Sequence, residues 1–352
     1  MNDTPRLPER NKRPGLCYAL TDDGIELPVI DVTHPAFALS LTQAELDAVT
    51  ARTLEGFERG KHWPAFLLRL MARRSVIMRN VLRASGSYLT GMATYLEKLG
   101  PDNVGTAWGS RLDRKLLRTV GPVCMRLRLQ DEAALLAEAL VERLAGDPTR
   151  AVHVLNIGGG TAIDSLNALI LAERQHAGLL LERSIVIHVL DPDREGPSFG
   201  TRALAALSAP GGPLENVRAS LERHDYDWRN PGSLADVIGM AGPGAPFVAC
   251  CSEGALFEYG CDADVAANLS ALRNLTPADT VIVGTVLLDR TVGRAMVKYG
   301  GVALRLREAE SFAALAASTG WRVAGAIEEG GVYYVVRLAK GPRSPLALKT
   351  ED

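Results

Sequence analysis

Val152-His153-Val154-Leu155-Asn156-Ile157-Gly158-Gly159-Gly160-Thr161 is the stretch that decides the fold. Its mostly apolar, branched run reads as a buried strand. The strand breaks into three glycines, which let backbone approach a ligand where a Cβ would clash. A helical pattern follows. A second apolar strand, Ser184 to Leu190, then ends in Asp191-Pro192-Asp193. Strand, glycine turn, helix, strand and acid, in that order, is the plan of a nucleoside site in a doubly wound α/β fold. Asp191 is placed to accept both hydroxyls of a ribose, with Asp193 as its alternative.

The spacing of the glycines limits what they can hold. A dinucleotide fingerprint wants a small residue at the third glycine position, where helix and strand pack closely. Ile163 stands there instead, and a β-branched side chain hinders that approach. No lysine follows in the manner of a triphosphate-binding loop.

More strands follow. Pro246 to Cys251 is a short buried strand ending in Ser252-Glu253-Gly254-Ala255-Leu256-Phe257-Glu258-Tyr259, and Thr280 to Leu288 is another. Trp321 to Ala326 and Val332 to Leu338 form a closing hairpin turned at Gly330-Gly331. A further strand is expected just before His224-Asp225-Tyr226-Asp227-Trp228.

Asn156-Ile157-Gly158-Gly159-Gly160-Thr161 resembles the first motif of the class I S-adenosylmethionine-dependent methyltransferases, with Asn156 where an acid is common. Four strand-then-helix units and a terminal hairpin are the order of that domain. The Asp-x-Asp-Trp and Ser-Glu-Gly-x-Leu-x-x-Tyr segments also resemble the leucine carboxyl methyltransferase-like branch. The resemblance covers roughly residues 150–340. It implies S-adenosylmethionine as cofactor, held by Asn156, Gly158, Gly159, Gly160, Thr161, Asp191, Asp193, Asp225, Tyr226 and Ser252. It also implies a Rossmann-like sheet and transfer to a small molecule. O-methylation of a hydroxyl or carboxyl is preferred over N- or C-methylation.

Methyl transfer from a sulfonium is an in-line displacement, so the protein mainly positions and desolvates. A hydroxyl acceptor must lose a proton, whereas a carboxylate is already ionised. Glu253 and His224 are the candidate catalytic groups. A buried Glu253 needs a partner, because an unpaired buried charge is costly; tying down a loop is its bland alternative. His153 and His188 alternate within strands and read as core residues.

The chain divides near residue 148. Residues 1–148 read as a mainly helical region that covers the substrate, 149–342 as the cofactor-binding domain, and 343–352 as a tail. One short strand is expected within Gly24 to Val32. Thr42-Gln43-Ala44-Glu45 is a capping box that opens a helix running towards Glu58. Trp63 to Arg83 reads as one long helix, followed by helices at Tyr88–Leu99, Asp113–Val120 and Asp131–Leu144. Arg69, Arg73, Arg74, Arg79 and Arg83 lie on the long helix. Arg69 and Arg73 share a stripe suited to an anionic substrate, against the plainer reading of a solvated face. Tyr88, Tyr95 and Tyr259 are candidate pocket walls.

The 352 residues are 47% apolar and 23% charged, the balance of a globular and not a disordered chain. A net charge of −2 argues against a general nucleic-acid binder. The five cysteines lack metal-ligand spacing, so no metal is expected and a reducing cytoplasm fits best. Met1 to Arg6 shows no signal-peptide core, and no apolar window suits a membrane span. Expected partners are a small-molecule substrate and, at most, a second copy in a homodimer, with no nucleic acid and no membrane. The competing enzyme classes are an NAD-dependent oxidoreductase and an aminopropyl-transferring, polyamine synthase-like enzyme.

Overall fold

The computed structural model describes residues 7, 12–60, 62–84, 86–105, 108–240, 246–300, 302–328 and 331–341. Gly330 of the expected hairpin turn, the tail and Met1–Arg6 lie outside them.

The described chain opens with a two-stranded ribbon, β1 (Tyr18–Leu20) against β2 (Glu26–Pro28). The strand expected within Gly24 to Val32 is therefore shorter and needs β1 as a partner. α1 (Gln43–Gly60) starts where the capping box places it: Glu45 N–H donates to Thr42 Oγ1 and Thr42 N–H to Glu45 Oε2. The expected long helix is two, α2 (Ala65–Arg74) and α3 (Val76–Arg83). Ser75 takes an extended backbone between them and accepts Met78 N–H as the cap of α3. Buried Asp113 fixes the break by accepting both Ser75 Oγ–H and Ile77 N–H. α4 (Gly91–Lys98) is capped by Thr90. α5 (Arg111–Leu116) precedes α6 (Val120–Leu144). Pro122 sits in the first turn of α6, where its missing N–H costs nothing, so α6 starts well before Asp131.

From β3 (Val152–Ile157) the chain alternates: α7 (Ile163–Gln175), β4 (Ile185–Leu190), α8 (Glu195–Leu207), β5 (Ala219–His224), α9 (Leu234–Gly239) and β6 (Phe247–Ser252). Then come α10 (Leu256–Tyr259), α11 (Asp262–Leu275), β7 (Val281–Leu287), α12 (Thr291–Gly300), α13 (Ala309–Ser318), β8 (Trp321–Ile327) and β9 (Tyr333–Lys340). The seven strands order as β5-β4-β3-β6-β7-β9-β8. β3 to β7 pair in parallel, and β9 runs antiparallel between β7 and β8. This is the doubly wound sheet with a terminal antiparallel hairpin. β3, β4, β6 and β7 are nearly continuous apolar runs because helices cover both faces.

β3 lies at the centre, between β4 on one side and β6 on the other. The connection order reverses there, which is the kind of switch point beside which open α/β sheets bind ligands. One apolar core joins Leu27, Tyr95, Leu136 and Leu140 to Val154, Leu169 and Val283. It runs without a break across residue 148. Among the described residues no helix is long and apolar enough to cross a membrane.

Candidate functional site

The glycine turn after β3 carries two residues in the left-handed region, Gly158 at φ +66° and Gly160 at φ +50°. Gly158 N–H donates to Leu190 O at 2.8 Å, which joins the turn to the end of β4. Asp191 follows that end. Its Oδ2 accepts Gly160 N–H at 2.9 Å and its Oδ1 accepts Asp193 N–H at 2.8 Å. Burial raises the Asp191 carboxyl and outweighs those two bonds. Each oxygen still has a second lone pair for a hydroxyl. Asp193 accepts the N–H groups of Arg194, Glu195 and Gly196, and so caps α8.

Asn156 is wholly buried and does not face open space. Its Nδ2 donates to Asp164 and to Ser165 Oγ at 2.8 Å, while a Cβ on Gly159 would strike its Oδ1 at 2.4 Å. Thr161 is buried beneath α8, its carbonyl 2.5 Å from where a Cβ on Gly200 would stand. Ser252, at the end of β6, donates through Oγ to Ile157 O and accepts Leu256 N–H. It ties β6 to β3 and starts α10.

The turn is covered from the amino-terminal region. A Cβ on Gly91 would stand 2.6 Å from Gly160 Cα and 3.3 Å from Gly196 Cα. Only three glycines let α4, the turn and α8 meet this closely. Beside them Tyr88 packs edge-on to Trp228 (6.1 Å between ring centres) and to Tyr259 (6.2 Å). Trp228 also reaches the turn, 3.2 Å from where a Cβ on Gly158 would be.

Beneath this cover lies a buried charge network. Arg128 on α6 donates Nε–H to Glu253 Oε1 at 2.5 Å and Nη1–H to both oxygens of Glu258 at 2.9 Å. Lys98 on α4 pairs with the other oxygen of Glu253. Burial would raise the Glu253 carboxyl, but Arg128 and Lys98 outweigh it and hold the group below its usual value. Both Glu253 oxygens are thus engaged by cations. Its visible role is to clamp α4 and α6 to the carboxyl edge of the sheet, and general-base work would require breaking a buried ion pair. Burial, Asp164 and Glu253 push Glu132 well above the usual carboxyl range. Glu132 Oε1 accepts Ser252 N–H at 3.2 Å. Burial also raises Asp164 and Cys251, whose donor atoms lie within 4.8 Å of that of Glu132.

The remaining candidates scatter. Asp225 is exposed, 3.6 Å from Arg223, while the Tyr226 hydroxyl is buried on Asn268. His224 bonds to His188 on the sheet and shares no recorded partner with Glu253, so the two candidate catalytic groups are not brought together. Arg69 and Arg73 are exposed on α2, and the break at Ser75 separates them from Arg79 and Arg83. Tyr95 is a core residue, not a pocket wall: its hydroxyl donates to Pro28 O at 2.6 Å and accepts Ile30 N–H at 3.2 Å. A cavity of about 680 Å³ is lined instead by Arg79, Arg83, Tyr88, Ala93 and Trp108, together with the carboxylates Asp23 and Glu195. Lys98, Arg128 and Gly91 carry no local motif. Only the requirement that Glu253 have a partner pointed towards the two cations.

No family model matches the chain, and no curated protein matches it. Among solved structures it is similar to a possible exported protein from Bordetella parapertussis, at 15% identity and a TM-score of 0.54, over 86% of this chain and 98% of that one. The mitomycin 7-O-methyltransferase MmcR aligns at 15% identity and a TM-score of 0.41, over 86% and 74%. An O-methyltransferase family protein from Burkholderia thailandensis aligns at 13% and 0.40 over 66% of this chain, which spans 61% of that one. The first likeness bears on the fold alone; the looser two carry no weight. The chain is a doubly wound α/β protein whose strand order reverses at β3.

Proposed function

We propose that this protein is an S-adenosylmethionine-dependent methyltransferase acting on a small molecule. The observation that carries it is Asp191 at the end of β4, holding the Gly160 amide while retaining lone pairs for a ribose. The parallel strands closed by the β8–β9 hairpin support the same class. A sulfonium cofactor would supply an already activated methyl group. The chain's own residues would hold its ribose (Asp191) and exclude water (Tyr88, Trp228, Tyr259), while the missing side chains of Gly158 and Gly160 let Ala255 and Gly91 pack onto the turn.

The acceptor side is the cavity lined by Arg79, Arg83, Tyr88 and Trp108. It touches Thr90 and Ala93, which flank Gly91 on the glycine turn. Two guanidinium groups and two aromatic rings suit a flat, anionic acceptor, which favours a hydroxyl or carboxyl as the methylated group. The carboxyl-methylating branch rests on the Asp225-Tyr226-Asp227-Trp228 and Ser252-to-Tyr259 segments. Residues 1–148 act as the substrate cover. A homodimer would use the exposed stripe Trp63, Phe66 and Leu70, and sedimentation tests it.

Titration with S-adenosylhomocysteine tests the class. A ligand bound only by the native state raises the melting temperature, and the rise grows with the logarithm of its concentration above Kd. S-adenosylhomocysteine is expected to raise it and NAD to leave it unchanged. The reverse result would make the crevice a dinucleotide site.

A further inference from the structure

His153, His188 and His224 form a line across three adjacent strands. His188 on β4 is the register partner of Glu222 on β5, and Leu190 is that of His224. Residues two apart on a strand share a face, so Glu222 and His224 stand on the same side as His188. The ring of His188 is used at both nitrogens. Its Nε2 lies 2.9 Å from His153 Nδ1, and its Nδ1 lies 3.0 Å from His224 Nε2. Glu222 Oε2 is 3.8 Å from that same Nδ1. The three donor atoms of His188, Glu222 and His224 all fall within 4.8 Å of one another.

We propose that His188, Glu222 and His224 bind a divalent zinc-type ion on the face of β4 and β5, separate from the crevice beside β3. Two imidazoles and one carboxylate are a usual zinc donor set, with water completing the tetrahedron. Two ligands on a tetrahedral zinc stand about 3.3 Å apart. The His188–His224 separation of 3.0 Å needs a few tenths of an ångström of adjustment, and Glu222 Oε2, 3.8 Å from His188 Nδ1, must swing inward on its exposed side chain. His153 serves the outer role: it accepts His188 Nε2–H, which fixes the tautomer and leaves the Nδ1 lone pair for the ion. Glu222 is the exposed member and marks the side from which the ion enters. Because His224 directly precedes Asp225 and Tyr226, a bound ion would fasten β5 to β4 beside the crevice. The site's role is structural, and it stands whether or not methyl transfer does.

The test uses tag-free full-length protein, stripped with chelator and titrated with Zn²⁺ by calorimetry and with Co²⁺ by visible absorption. One equivalent of Zn²⁺ should bind per chain and raise the melting temperature. Co²⁺ should give the strong visible bands of tetrahedral coordination. His224→Ala and Glu222→Gln should each weaken Zn²⁺ more than about tenfold, with circular dichroism of the metal-free variants confirming the fold. His176→Ala, at an exposed histidine elsewhere, should leave affinity unchanged. Absent binding, binding insensitive to both His224→Ala and Glu222→Gln, or weak octahedral-type cobalt bands would each overturn the site.

Discussion

Gly91 and Gly160 touch backbone to backbone: a Cβ added to the first would stand 2.6 Å from the Cα of the second. The contact joins the start of α4 to the glycine turn after β3. Alanine is the better helix former by about 1 kcal/mol, yet here the added methyl has only backbone to displace. Gly91→Ala should destabilise the protein by about 1–3 kcal/mol and loosen Tyr88 from Trp228. Denaturant unfolding and tryptophan fluorescence check this. A variant as stable as the parent would show that the turn has slack.

Asp191 and Asp193 separate by role. Asp191→Ala should weaken S-adenosylhomocysteine by about 10–150-fold, the equivalent of a charge-assisted bond, with some added loss because Gly160 N–H loses its acceptor. Asp193→Ala removes a helix cap and should cost about 1 kcal/mol of stability, with affinity nearly unchanged. Calorimetric titration of both variants decides which acid meets the ligand.

Arg128 is buried against two buried carboxylates. Arg128→Met leaves Glu253 and Glu258 without their shared cation, so a loss of about 3–5 kcal/mol is expected in urea melts. Replacing Glu253 by Gln keeps the shape and one acceptor, and should cost less.

Glu97 gives a pH signature. Burial raises its carboxyl to about 7, against the pull of Arg128 and Lys98. The native state therefore binds a proton that the unfolded chain, near 4.3, releases earlier. The stability this contributes is full below the unfolded value and is lost as pH rises through about 7. Glu97→Gln should remove that decline, so the gap between variant and parent should widen from pH 5 to pH 8. Unfolding curves that stay parallel across that range would refute it.

Tyr95→Phe removes a hydroxyl that serves both Pro28 O and Ile30 N–H inside the core. A cost of about 1–3 kcal/mol follows from the unsatisfied groups left behind. The KM for any acceptor should not move, since the ring does not line the cavity.

Which parts were legible in the sequence follows from where the physical signal lies. β3, β4, β6 and β7 announce themselves because each is buried on both faces and reads as an apolar run. β5 does not: it is an edge strand whose Glu222 and Arg223 belong partly to solvent, so its pattern is weak. The glycine turn and Asp191 are adjacent in kind and spacing, so they could be named. The clamp on Glu253 could not, because Lys98 and Arg128 lie 155 and 125 residues away from it. The break at Ser75 was hidden likewise, since buried Asp113 decides it from 38 residues downstream.

α6 packs against β9, the strand inserted into the sheet from the far end of the described chain. Arg128 lies over the Tyr333 ring at 4.8 Å, and Arg337 pairs with Glu142 at 3.0 Å. On the ribosome, α6 is made some 190 residues before these partners. Glu253 and Glu258 can pair Arg128 before β9 is made, but the side of α6 that meets Tyr333 and Arg337 waits for that strand. A ribosome stalled just short of Tyr333 would hold a nascent protein with that side of the helix open to chaperones.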